Sequence, residues 1–114
     1  MDAHANAVLD REQLRNITLD DAALMRDIVA ALIDDTSQQL IAIEGAIHAG
    51  DPRACTRLAH YSKGACANVG ARSAAELLKS IEFSAHQSDF ARCRASLEAL
   101  ATELDRLRVE ARSL

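Results

Sequence analysis

Only three aromatic residues occur in this 114-residue sequence: Tyr61, Phe83 and Phe90. There is one proline, and glycine is limited to four positions. Such scarcity excludes a turn-rich sheet protein and a proline-rich disordered tail. No apolar run approaches the roughly 18 residues needed to span a bilayer, and MDAHANAVLD does not read as a signal peptide. The cysteines number three, Cys55, Cys66 and Cys93, with no C-x-x-C pair. That excludes a disulfide framework and a zinc site of the usual spacing, and fits free thiols in a reducing cytoplasm. Basic residues are outnumbered: the net charge is −4, with no run of like charges. A nucleic-acid partner is therefore not expected. Cytoplasmic localisation, with no membrane contact, is the expectation.

What the chain does contain is 49% apolar residues, with Ala, Leu, Glu, Arg and Asp dominant. This is the makeup of an all-α domain. Residues 1–9 show no periodicity and read as a flexible lead-in, and residues 10–114 read as one domain. Asp10 is placed to cap a short helix, REQLRNI. Asp20 reads as the N-cap of a long helix that runs to about Ala49, with Leu24, Ile28, Leu32, Leu40, Ile43 and Ile47 turned inward. Gly50-Asp51-Pro52 is a stop, a cap and a restart. The next helix ends at Gly70. Ser73 is placed to cap a third long helix with Leu77, Leu78, Ile81 and Ala85 inward. Asp89 is placed to cap the last. There Phe90, Cys93, Leu97, Leu100, Leu104, Leu107, Ala111 and Leu114 advance in steps of three and four, a bundle seam. Short connections make neighbouring helices antiparallel. The expected fold is an antiparallel up-down-up-down four-helix bundle with a short extra N-terminal helix. Four helices close one core, so a monomer is expected.

The stretch LAHYSKGACANVGA places a glycine inside the second long helix. Glycine there costs about 1 kcal/mol relative to alanine. At about 100° per residue, Cys55, Leu58, Ala59, Ser62, Ala65, Cys66 and Val69 form the core face, roughly opposite His60. Lys63, Gly64, Ala67, Arg53 and Arg57 share the outward arc with His60. A histidine on a helix surface is usually a plain solvated residue, and His4, His48 and His86 keep that reading. His60 differs because Gly64 and Ala67 leave a low platform beside it, over which a second protein can approach. A neutral imidazole is a nucleophile near neutral pH, and the Lys63 ammonium would attract phosphoryl oxygens.

The run His60-Tyr61-Ser62-Lys63-Gly64-Ala65-Cys66-Ala67-Asn68-Val69-Gly70 resembles the signature of histidine phosphotransfer domains, H-x-x-K-G followed by small residues and N-[LV]-G. Arg57-Leu58-Ala59, Leu77 and Ile81-Glu82 fit the same pattern. Asn68-Val69 resembles the phosphorelay type more than the chemotaxis kinases' type; Tyr61-Ser62 departs from the usual residues there. The resemblance implies a phosphoryl carrier, not an enzyme with its own ATP site. His60 would accept a phosphoryl group from a receiver-domain aspartyl phosphate and pass it to another receiver. The partners implied are receiver domains of hybrid histidine kinases and of response regulators. No cofactor of its own is implied, since the receiver would supply Mg²⁺.

Helices two and three turn near Ala71, and His60 and Glu82 lie equally far from that turn. They should share one height in the bundle. Glu82 is placed either to accept a hydrogen bond from the imidazole, which the family pattern also suggests, or to pair with Lys63 or Lys79. Gln39 is the polar residue of the first long helix expected near that height, more as a solvated helix residue than as a contact for the partner. Arg53 and Arg57, with Lys63, should steer a partner that holds a metal ion in an acidic pocket. A second reading is an inert docking adaptor, which would need no glycine at position 64. A carboxylate-bridged metal bundle fails for lack of E-x-x-H pairs.

Overall fold

The computed structural model describes residues 7–114. Its helices are α1 (Arg11–Thr18), α2 (Ala22–His48), α3 (Pro52–Val69), α4 (Arg72–His86) and α5 (Phe90–Ala111). The punctuation predicted from sequence sets most of these bounds. Asp10, Asp51 and Asp89 each cap a helix, their carboxylates accepting the N–H of Gln13, Ala54 and Arg92. Gly50 (φ 64°) and Gly70 (φ 98°) take the left-handed conformations that end α2 and α3.

Two caps differ from expectation. Asp21, not Asp20, caps α2 by accepting the N–H of Leu24 at 3.1 Å. Leu19 and Asp20 both have positive φ, 52° and 63°, so α1 ends in a two-residue left-handed turn that uses Asp20 up. Ser73 lies inside the first turn of α4, whose cap position is Ala71 with no side-chain bond. Its N–H instead donates to the Ala7 carbonyl at 3.0 Å. The N-terminal segment thus satisfies an amide that a capping hydroxyl would otherwise take.

α2 packs on α3 and α5, and α4 packs on the same two helices, closing a four-helix ring. Cross-links show the antiparallel order. Thr36 meets Cys66 at 3.7 Å, the Cys93 thiol donates to the Ile81 carbonyl at 3.7 Å, and Arg108 donates to the Ser37 hydroxyl at 3.0 Å. The core includes Val29, Leu32, Ile33, Ile43, Ile47, Ala59, Leu78, Ile81, Leu97, Leu100 and Leu107. Leu24, expected inward, is 42% exposed. The buried stripe of α2 runs instead through Val29 and Ile33, and Ile28 and Leu40 are half-buried.

The helices are unequal. At about 1.5 Å per residue, α2 is about 40 Å long and α3 about 27 Å, so α2 and α5 overhang the α3–α4 hairpin at one end. α1 fills that step with a fully buried Leu14. Polar ties hold it down: Arg11 to Glu110 at 2.9 Å, Gln13 to the Ala67 carbonyl at 2.7 Å, and Arg72 to Asp10 at 3.0 Å. Of the flexible lead-in expected over 1–9, residues 1–6 lie outside the described residues. Residues 7–9 are docked, with Leu9 buried and Val8 packed on the core. Their run is too short to show a period, and burial of one leucine needs none.

Gly70 holds this end together. Asp10 N–H donates to its carbonyl at 2.8 Å, and a Cβ added at Gly70 would lie 2.9 Å from the Asp10 backbone oxygen. Gly70→Ala is therefore expected to destabilise the fold by about 2 kcal/mol, through positive φ and the backbone clash together. Urea unfolding checks this.

All three cysteines are buried and unpaired. Burial, with Cys93 and Asp51 nearby, pushes the Cys55 thiol up to about 12. Burial pushes Cys66 up to about 11 against the hydrogen bond from Thr36.

Candidate functional site

His60 lies midway along α3 on the face turned from the core, with its side chain 69% exposed. α4 runs antiparallel beside it and presents Glu82. The imidazole Nδ1 lies 3.0 Å from Glu82 Oε2 and 3.2 Å from Oε1. An ionised carboxylate can only accept, so Nδ1 carries the proton and donates. In the neutral ring Nε2 then holds the lone pair, and among the described residues it has no partner. Lys63, nearly one turn along α3, reaches the same carboxylate, with Nζ 3.0 Å from Oε2. The two roles weighed for Glu82 are thus filled together.

Partial burial would raise the Glu82 carboxyl, but hydrogen bonds and charge from Lys63 and His60 outweigh it and hold the carboxyl below the ordinary carboxylate range. A carboxyl lowered in the folded state contributes stability above its unfolded value of 4.5, and that contribution is lost as pH falls through the lower folded value. Glu82→Gln is therefore expected to be less stable than the parent at about pH 6, with the gap closing at about pH 3. Paired urea titrations at the two pH values check it.

Gly64 and Ala67 are exposed, and nothing lies within 4 Å of a Cβ placed at Gly64. The platform beside His60 is open. Two of the three aromatics stand next to the site in sequence and point outward, Tyr61 at 56% exposure and Phe83 at 61%. Arg53 and Arg57 are exposed and line a groove of about 540 Å³ with Pro52, Thr56, His60, Glu82 and His86. Sequence reasoning missed Pro52, Thr56 and His86. The available signal was that His86 follows Glu82 by one helical turn. Gln39, expected near this height on α2, has its Oε1 buried without a hydrogen-bond partner among the described residues.

The site is thus an exposed imidazole held by a carboxylate from the neighbouring helix of a four-helix ring. The Hpt domain model matches residues 27–110, and the chain belongs to the Hpt domain family. The crystal structure of histidine-containing phosphotransfer protein B from Pseudomonas aeruginosa PAO1 is similar at a TM-score of 0.84 and 25% identity, over 93% of this chain and 92% of that one. Comparison with curated proteins gave no match. Membership makes the chain a phosphorelay phosphotransfer carrier that works with receiver domains. Among the described residues, no helix is long and apolar enough to cross a membrane.

Proposed function

We propose that His60 is the phosphoryl carrier, taking the group from a receiver's aspartyl phosphate and giving it to an aspartate of another receiver. The observation that carries this is the Nδ1–Glu82 bond at 3.0 Å on an otherwise exposed ring. It fixes the tautomer that leaves Nε2 nucleophilic. In the forward step Nε2 attacks phosphorus, the N–P bond forms, and the bond from phosphorus to the aspartyl oxygen breaks. The aspartate leaves as a carboxylate. The ring keeps its Nδ1 proton, and its new positive charge faces the Glu82 carboxylate, which stabilises it. The return step reverses these bonds onto the next aspartate.

Lys63 binds Glu82 in the unphosphorylated chain and stands within a turn of the ring, where its ammonium can shift toward phosphoryl oxygens. Gly64 and Ala67 let the receiver's backbone approach. The receiver supplies Mg²⁺ in this reading. The chain works in the cytoplasm as a monomer. An inert adaptor has no use for a tautomer-fixing carboxylate beside an exposed glycine.

The test is incubation with phosphorylated receiver domains. Acid-labile, alkali-stable label on this chain is the expected result, and its absence with every receiver that transfers to other carriers would refute the reading.

A further inference from the structure

The groove beside His60 extends along the N-terminal half of α3 and the C-terminal end of α4. Arg53 and Arg57 stand one turn apart on α3, and His86 stands on α4 one turn beyond Glu82. None of these three side chains has a hydrogen bond or ion pair among the described residues. The one acid in the lining, Glu82, already binds both Lys63 and His60 at 3.0 Å. The Thr56 hydroxyl is also taken, donating to the Pro52 carbonyl at 2.7 Å. In a chain of net charge −4, this groove is lined by uncommitted donors and cations and by no uncommitted acid. It opens directly beside the nucleophile, so whatever fills it touches the rim of the partner's phosphorylation site.

We propose that the groove seats an acidic loop of the receiver, and that His86 is a docking residue which, with Arg53 and Arg57 on the facing helix, clamps its carboxylate. This rests on the phosphotransfer reading and adds a partner chemistry and a residue to it. A receiver pocket that holds a divalent cation must be rich in carboxylates, and a carboxylate on its rim finds three donors here and no competing acid. The Pro52 ring and the arginine stems give the groove an apolar floor, which strengthens such contacts by excluding water. The platform over Gly64 lies on the other side of His60 along the helix. The partner therefore straddles the histidine, its backbone over Gly64 and its acidic loop in the groove.

The test uses the full chain. Its probe is the receiver domain, charged with acetyl phosphate, that labels the parent chain fastest in a panel of receivers. His86→Glu and Arg57→Glu are each expected to raise the receiver concentration for half-maximal transfer about fivefold, an effect that salt reduces. The change falls on half-saturation rather than on the maximal rate. His86→Lys should retain the parent's half-saturation. Arg112→Glu makes the same kind of charge reversal at the far end of α5 and serves as the control. If His86→Glu matches Arg112→Glu, the groove is not a docking site. Failure of every receiver to label the parent chain overturns the phosphotransfer reading itself, and is seen before any variant is compared.

Discussion

His60→Gln is expected to abolish phosphoryl acceptance and leave helicity and unfolding midpoint close to the parent's. The side chain is 69% exposed and its one partner among the described residues is Glu82, which keeps Lys63 when the ring is gone. Little of the fold depends on it. On the proposed reading all of the chemistry does, and among the other histidines with described side chains, His48 and His86, neither is held by a carboxylate. Glutamine retains a donor for Glu82 but offers no nucleophilic nitrogen. Label from a phosphorylated receiver and circular dichroism, taken on the same preparation, check both halves. Acid-labile label on the variant would move the carrier role to another residue.

The next largest effect is expected at Gly64. Gly64→Ala should stabilise the fold by up to about 1 kcal/mol, since a methyl there meets nothing within 4 Å and helix propensity rises. Gly64→Gln should gain nearly as much stability, yet slow transfer about 100-fold. Its side chain stands over the platform and holds the partner off the ring, and a misplacement of about 1 Å is enough for such a loss. The two readouts therefore move in opposite directions, which a merely structural glycine cannot produce. Stopped transfer time courses and urea unfolding give the comparison. Equal transfer rates for Gly64→Gln and the parent would end the argument from access.

Most of the architecture was legible because it is local. Asp10, Asp51 and Asp89 cap helices by reaching three residues ahead, and Gly50 and Gly70 end them with left-handed backbone. The α5 seam needed only its own spacing. His60 was placed outward by its helix's own period, and Glu82 was placed at its height by symmetry about the Ala71 turn. The misses share a different cause. Asp20 lost its cap because α1 closes through two left-handed residues. Ser73 is not a cap because α4 begins before it, and its own N–H goes to the Ala7 carbonyl, a partner distant in sequence. Leu24 faces outward because the buried stripe of α2 passes through its neighbours. The groove at His86 joins two helices, and no pattern within either one announces it.

The burial of Cys55, Cys66 and Cys93 has a use at the bench. Alkylation needs an accessible thiolate, and these thiols are both covered and held protonated at neutral pH. Cys55 and Cys93 face each other across the bundle, but no Cα of α3 comes within 8 Å of one on α5, so oxidation cannot join them without moving a helix. A maleimide dye added to the folded chain should leave it unmodified. One cysteine introduced at an exposed position then becomes the sole point of attachment, and a fluorophore placed there reports receiver docking without a cysteine-free background having to be built first.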